Sequence, residues 1–234
     1  MTTSAASVAR RIVDLTQDTS SIRWPAHELV RFINDGQREI IKARPDALNI
    51  TATGTLAAGT RQDLDTIFTV APLPLKLIEI TRNMAATSTK KAVRQCQRNI
   101  LDAQIPGWHN LTQSVNILHF THDIRDPKTF YTYPPATTLA QLEIMYAAYP
   151  TDVVEPADGS LYSDIAGNIS VADIYAADLV DYVLYRCYEK DASYAGNAAR
   201  SAKHYAAFAQ SLGVELNTTA QVSPTVKDGT TTGG

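Results

Sequence analysis

The hydrophobic periodicity of this chain changes twice along its length, and this change constrains the fold more than any other feature. Apolar residues recur at helical spacing up to residue 44, short alternating runs rich in Thr, Val, Ile and Tyr occupy residues 48–165, and helical spacing returns from residue 170. Periods of 3.6 and 2 residues distinguish helices from strands. The pattern predicts an α+β fold in which N- and C-terminal helix pairs form a four-helix bundle with an inserted, mostly antiparallel β lobe.

Each predicted helix has an apolar stripe and a boundary signal. Ser4 can cap the first helix, Pro25 takes the early position that proline favours in the second, and Asn197 can cap the fourth. The second helix should end at Arg44, before Pro45, and the fourth at Gly213. The stripes are Val8, Ile12 and Leu15; Leu29, Phe32, Ile33, Ile40 and Ile41; Val171, Tyr175, Leu179, Tyr182 and Val183; and Ala198, Ala202, Tyr205, Ala209 and Leu212.

The middle and the end of the chain have different compositions. We predict strands at 49–56, 75–82, 116–121, 129–133 and 139–148, with a short helix at 91–101. Residues 214–234 are rich in Thr, Gly and Ser, which predicts a flexible tail. The expected domains are a helical bundle of residues 1–47 and 166–213, a β-rich lobe of residues 48–165, and this C-terminal tail.

Composition favours assembly over nucleic-acid binding. The 21 basic and 24 acidic residues are interspersed and give a net charge of −3, which argues against tight binding of DNA. Charged residues make up 19% of the chain, below the usual ~25%, and uncharged polar groups cost less to bury against a neighbour. Cys96 and Cys187 lack paired spacing, so we expect buried thiols in a reducing compartment. No secretory leader or membrane span is predicted.

The residues that could support catalysis fit simpler interpretations. His119, His122 and Asp123 resemble a metal-ligand run, but residues three apart on a strand point to opposite faces. Asp123 and Asp126 flank Pro127 in a segment typical of a turn. No hydrolase, phosphate-loop or zinc motif is present. We therefore expect no enzymatic activity, no catalytic residues, no cofactor and no metal.

Three segments together resemble a known family. Residues 23–46 (RWPAHELVRFINDGQREIIKARPD), 130–135 (FYTYPP) and 179–194 (LVDYVLYRCYEKDASY), the last extended by His204 and Tyr205, resemble the head-to-tail adaptor proteins of tailed bacteriophages, also called connector or head completion proteins. The resemblance covers about residues 4–213. It implies a virion subunit at the head-tail junction, made in the host cytoplasm.

The resemblance also implies partners. They are further copies of the chain in a ring, commonly of twelve, the capsid portal protein above and a tail tube or nozzle protein below. Genome DNA would pass through the bore without specific binding, and no membrane is involved. We expect the last helix and the tail to engage the portal, and the β lobe to face the phage tail. The expected portal-facing residues are Arg200, Lys203, His204, Val214, Leu216, Val222 and Val226.

Two other functions are open at this point. In the first, a glycan- or ligand-binding module of the virion or tail, an aromatic groove would be lined by Trp108, His109, Phe130, Tyr131 and Tyr133. The second is a metal hydrolase that uses His119, His122 and Asp123.

Overall fold

The computed structural model describes residues 3–191, 193–194 and 196–222, and for 214–222 only the course of the backbone. The described residues divide into two compact units. One takes those of Met1–Arg44, Val153–Asn168 and Asp173–Gly234, and the other takes Pro45–Asp152 and Ile169–Ala172. The first unit contains the long helices and the second contains both β-sheets, so the chain is α+β.

The first two helices begin where local chemistry favours them. Helix α1 spans Ala5–Thr16, and the Ser4 side chain accepts a hydrogen bond from the Ser7 N–H, which confirms the predicted cap. Helix α2 spans Ala26–Ala43, with Pro25 immediately before it. The predicted apolar stripe of α2 is buried. Helix α1 contacts α2, and of its predicted stripe Val8 and Ile12 are buried, whereas Leu15 is 61% exposed.

Helix α5, Ala176–Lys190, lies at the centre of the first unit because it contacts α1, α2 and the last helix, α6, Asn197–Val222. Trp24 packs edge-on against Tyr188, and its indole N–H donates to the Cys187 carbonyl oxygen at 3.3 Å. Cys187 is fully buried, and this burial raises the pKa of its thiol to about 12. Cys96 is only partly buried.

The segment 153–168 belongs with the helices, although the sequence placed residues 153–165 in the β lobe. Asn34, 7% exposed on α2, donates to the Val153 carbonyl oxygen at 3.0 Å and accepts from the Val153 N–H at 2.9 Å. Arg31 forms an ion pair with Glu155 at 2.8 Å. These contacts join residues more than 100 positions apart, so no local pattern predicts them.

The second unit contains two sheets. The strands are β1 Asn49–Thr55, β2 Gly59–Asp63, β3 Pro74–Asn83, β4 Arg94–Gln95, β5 His119–His122, β6 Thr129–Ala136 and β7 Gln141–Ala148, with short helices α3 Leu64–Ile67 and α4 Arg98–Gln104. The first sheet has the order β1-β7-β3 and the second β2-β6-β5-β4. Every pairing is antiparallel except β4 with β5. The five predicted strands are confirmed within a few residues, whereas β2 and β4 were not predicted.

The core of the second unit explains the alternation in its strands. Along β7 the side chains of Leu142, Ile144 and Tyr146 point into a cluster that also contains Phe130 and Ile117. Helix α4 begins at Arg98, seven residues later than predicted, because residues 94–95 pair with β5 instead.

Two predictions for the last helix are wrong. The helix does not end at Gly213, because this residue lacks the positive φ of a helix-ending glycine and the backbone continues to Val222. The predicted apolar stripe is also exposed to solvent and not buried, since Leu212 is its only buried member. The buried face instead carries Asn197, Ser201, Phe208 and Leu212.

Candidate functional site

The contact between α5 and α6 is unusually polar for a helix pair. The Ser201 hydroxyl donates to the Tyr185 carbonyl oxygen at 3.2 Å, and the Ser211 hydroxyl donates to the Asp178 carboxylate at 2.7 Å. Between these two contacts, Phe208 packs against the Tyr182 ring at 5.2 Å. Ser201 is therefore buried and Ser211 partly buried on a helix whose predicted buried stripe consisted mainly of alanine.

The opposite face of α6 is exposed and carries few charges. It consists of Ala198, Ala199, Arg200, Ala202, Lys203, Tyr205, Ala206, Ala207, Ala209 and Gln210. We call this the outer face of α6. Tyr205 is 51% exposed and its ring lies 5.0 Å from that of Tyr185. Small side chains allow another surface to approach closely, and an exposed tyrosine adds a large, partly apolar contact area.

The three basic residues predicted to form a partner-binding face have different environments. Arg200 and Lys203 are exposed, and no carboxylate in the described part of the chain lies within ion-pair distance of either. His204 is half-buried: its Nδ1 lies 2.8 Å from a carboxylate oxygen of Asp181, and its ring stacks on Tyr188. His204 thus supports the helix contact, while the two exposed cations are available to a partner.

A cleft of about 280 Å³ opens beside Arg200, lined by Leu15, Thr16, Gln17, Arg23, Trp24, Tyr188, Tyr194, Asn197 and Arg200. The Arg23 guanidinium lies 4.8 Å from the Trp24 ring centre and 5.3 Å from that of Tyr194. Arg200 lies 5.7 Å from the Tyr188 ring centre. Arg23 also forms an ion pair with Asp191.

The lining of this cleft contains two guanidinium groups and no carboxylate, and one of these groups, that of Arg23, is already paired with Asp191. Arg200 lies against the Tyr188 ring and has no carboxylate within ion-pair distance among the described residues, so it is the guanidinium suited to receive a carboxylate from a partner protein. Sequence reasoning identified Arg200 but missed Arg23, Trp24 and Tyr194. Arg, Trp and Tyr are the residue types enriched at the centres of protein interfaces. These residues lie far apart in the chain, so the sequence gives no sign that they cluster.

The predicted tail residues are only partly within the described structure. Val214, Leu216 and Val222 lie on the backbone of α6, in a helix and not in an irregular tail. Val226 lies outside the described residues.

The residues of the metal-site hypothesis have separate partners. The His119 ring stacks on Tyr133, and His122 Nδ1 lies 3.0 Å from the Thr129 carbonyl oxygen. Asp123 is bound by Arg125, whose guanidinium lowers the pKa of this carboxyl to about 2. In the described ranges, no three His, Cys, Asp or Glu side chains are grouped so that they could hold a metal ion.

The aromatic residues of the groove hypothesis do not line one surface. Trp108 and Phe130 are fully buried, and the Trp108 indole N–H donates to Asp102 at 2.8 Å. A cleft of about 430 Å³ does lie nearby, but of the five predicted rings only Tyr131 contributes to its lining, next to Arg98 and His122. Most of the aromatic area therefore stabilises the lobe.

Comparison with protein families identifies a relationship over nearly the whole chain. The family model described as SU10 adaptor protein matches residues 3–228 of this chain. The search of curated proteins found no match to this chain. In addition, no helix in the described part of the chain combines the length and apolarity needed to cross a membrane.

Proposed function

Because the chain belongs to the SU10 adaptor protein family and is a structural adaptor of a phage virion, we propose that its copies form a ring joining the capsid portal to the tail. The proposed ring has twelve subunits, and its bore forms part of the conduit for the genome. A net charge of −3 suits this role, because a mildly acidic protein does not bind the phosphate backbone of DNA tightly.

The observation that carries the proposal is the outer face of α6. Helix α6 has 26 residues. At a rise of about 1.5 Å per residue it is about 40 Å long, which would be enough to bridge two neighbouring proteins. Its exposed side is dominated by alanine, with Arg200 and Lys203 as unpaired cations among the described residues. Such a face loses little hydration on burial and offers charges to an acidic partner.

We assign the two units to different neighbours. A cyclic ring requires that one face of each subunit meets a different face of the next. In the proposed arrangement the four long helices act as one bundle, the outer face of α6 and the residues after it contact the portal, and the β-rich unit faces the tail tube or nozzle. The role is non-catalytic and needs no cofactor or metal.

The decisive experiment mixes the purified chain with the portal protein of the same virion and images the product by negative-stain electron microscopy. Wild-type protein should form rings on the portal. The double variant Arg200→Glu/Lys203→Glu should remain folded, as judged by circular dichroism, yet fail to join the portal.

The matched control is Arg11→Glu/Lys91→Glu, which makes the same charge change at two exposed cations outside α6 that also lack an ion pair among the described residues. It should assemble as wild type does. Normal assembly of the Arg200→Glu/Lys203→Glu variant would rule out the outer face of α6 as the portal contact, and absence of rings with wild-type protein would refute the adaptor ring itself.

A further inference from the structure

Strand β1 lies at the edge of its sheet. Two hydrogen bonds show which of its residues direct their backbone N–H and C=O groups towards the neighbouring strand β7 and which direct them away. The Leu48 carbonyl oxygen accepts from the Ala148 N–H at 3.0 Å, and the Leu56 N–H donates to the Ala140 carbonyl oxygen at 2.9 Å. Even-numbered residues from 48 to 56 therefore bond to β7. In an antiparallel ladder the intervening residues point the other way, so the N–H and C=O groups of Asn49, Thr51, Thr53 and Thr55 point away from β7.

The outer edge of β1 differs from the other three sheet edges that the structure describes. Strand β3 has three register shifts and carries Lys76, Glu79 and Arg82. Strand β2 has a bulge and two charged residues, and β4 is only two residues long. Strand β1 pairs with β7 in unbroken register over seven residues and contains no charge and no proline. Bulges, charges and short length are the features that normally prevent edge-to-edge pairing, and β1 lacks them all.

We propose that the outer edge of β1 pairs antiparallel with the same edge of a second copy of this chain. The register follows from the alternation, since outward-pointing residues must meet outward-pointing residues. Centring the pair on Ala52 places Thr51 opposite Thr53 and Asn49 opposite Thr55 of the second copy. This register uses all four outward residues of both strands and forms about eight backbone hydrogen bonds. Any other register leaves some of these groups unpaired.

The side chains favour a second copy as the occupant. The outward residues are exposed, so their side chains would form two threonine–threonine pairs and two asparagine–threonine pairs across the new contact, with no like charges opposed. A two-fold pair closes after two copies. The pairing is therefore a property of the free protein and does not depend on the ring proposed above.

Sedimentation velocity over a range of protein concentrations tests this inference. Wild-type protein should show a reversible monomer–dimer equilibrium. Thr51→Lys/Thr53→Lys would place lysine opposite lysine twice and should raise the dimer dissociation constant by about tenfold. Thr51→Lys/Thr53→Glu would place lysine opposite glutamate twice and should retain the dimer. A wild-type protein that stays monomeric, or two double variants that behave alike, would overturn the proposal.

A crosslinking experiment fixes the register without depending on added charge. With Cys96 replaced by serine, Ala52→Cys would oppose itself at the two-fold axis, where Cα atoms are about 4.5 Å apart and a disulfide can form. Thr53→Cys is the matched control, because its two copies would be offset by two residues and lie too far apart. Oxidation should give a covalent dimer with Ala52→Cys only. Equal crosslinking of both variants, or of neither, would refute the register.

Discussion

Replacing Gly36 and Gly213 by alanine should change stability in opposite directions, although both residues lie inside helices. Gly36 is buried on α2, and a Cβ placed there would lie 2.8 Å from Tyr182 Cδ1 and 2.9 Å from Leu179 Cδ2, both on α5. Gly213 lies within α6, and a Cβ placed there meets no atom of the described part of the chain within 4 Å.

The expected magnitudes follow from two opposing terms. Alanine in a helix is favoured over glycine by about 0.8–1 kcal/mol, and this gain applies to both positions. At Gly36 the extra methyl group must also displace a fully buried leucine or a buried tyrosine ring, and such overpacking costs about 1–3 kcal/mol. Gly213→Ala should therefore stabilise the protein by up to about 1 kcal/mol, while Gly36→Ala should destabilise it by about 1 kcal/mol.

Thermal unfolding followed by circular dichroism at 222 nm measures the difference, because α1, α2, α5 and α6 all belong to the first unit. At about 2–4 °C per kcal/mol for a chain of this size, the two variants should differ in Tm by roughly 4–8 °C. Equal upward shifts would show that α2 and α5 do not approach closely at Gly36. A lower Tm for Gly213→Ala would show that α6 ends at this glycine.

Two further predictions concern single polar contacts. Arg125 lowers the pKa of Asp123 to about 2 from an ordinary value of 3.8, so their ion pair should persist as the pH falls to about 4 and be lost through pH 2; NMR titration should find this midpoint, and Arg125→Gln should raise it towards 3.8. Asn34→Ala leaves the buried backbone groups of Val153 unpaired and should lower the free energy of unfolding by about 2–3 kcal/mol, measured by urea denaturation. If Arg125→Gln left the Asp123 midpoint unchanged, the Arg125–Asp123 ion pair would be contradicted. If Asn34→Ala left the free energy of unfolding unchanged, the hydrogen bonds between Asn34 and Val153 would be contradicted.

The helices and strands were predictable where burial follows a short repeat. In α2 the buried positions recur at helical spacing, and in β7 Leu142, Ile144 and Tyr146 alternate with more exposed residues. The stripe predicted for α6 is wrong, because its repeating alanines are exposed and not buried. Alanine is small enough to be tolerated on either face of a helix, so its spacing carries little information about burial.

The candidate site was predictable only in part. Arg200 and Lys203 share a face because they are three residues apart on one helix, which sequence spacing reveals. The cleft beside them also needs Arg23 and Trp24, and Arg23 lies 177 positions before Arg200, so the sequence carries no signal that brings them together. The unprotected edge of β1 was likewise hidden, since the strand is readable from its composition but its place in the sheet order is not.

By itself, the sequence determined the α+β class, the two helix pairs, five of the seven strands and the resemblance to phage adaptors. These depend on local periodicity and on motifs, which are properties of neighbouring residues. Only the tertiary structure decided which face of α6 is buried, which unit residues 153–168 join, and which strand forms an open edge. Each depends on contacts between segments far apart in the chain. Ser201 is buried because it meets Tyr185, and Val153 is buried because it meets Asn34. In both cases the packing partner determines burial, and the neighbouring residues in the sequence do not.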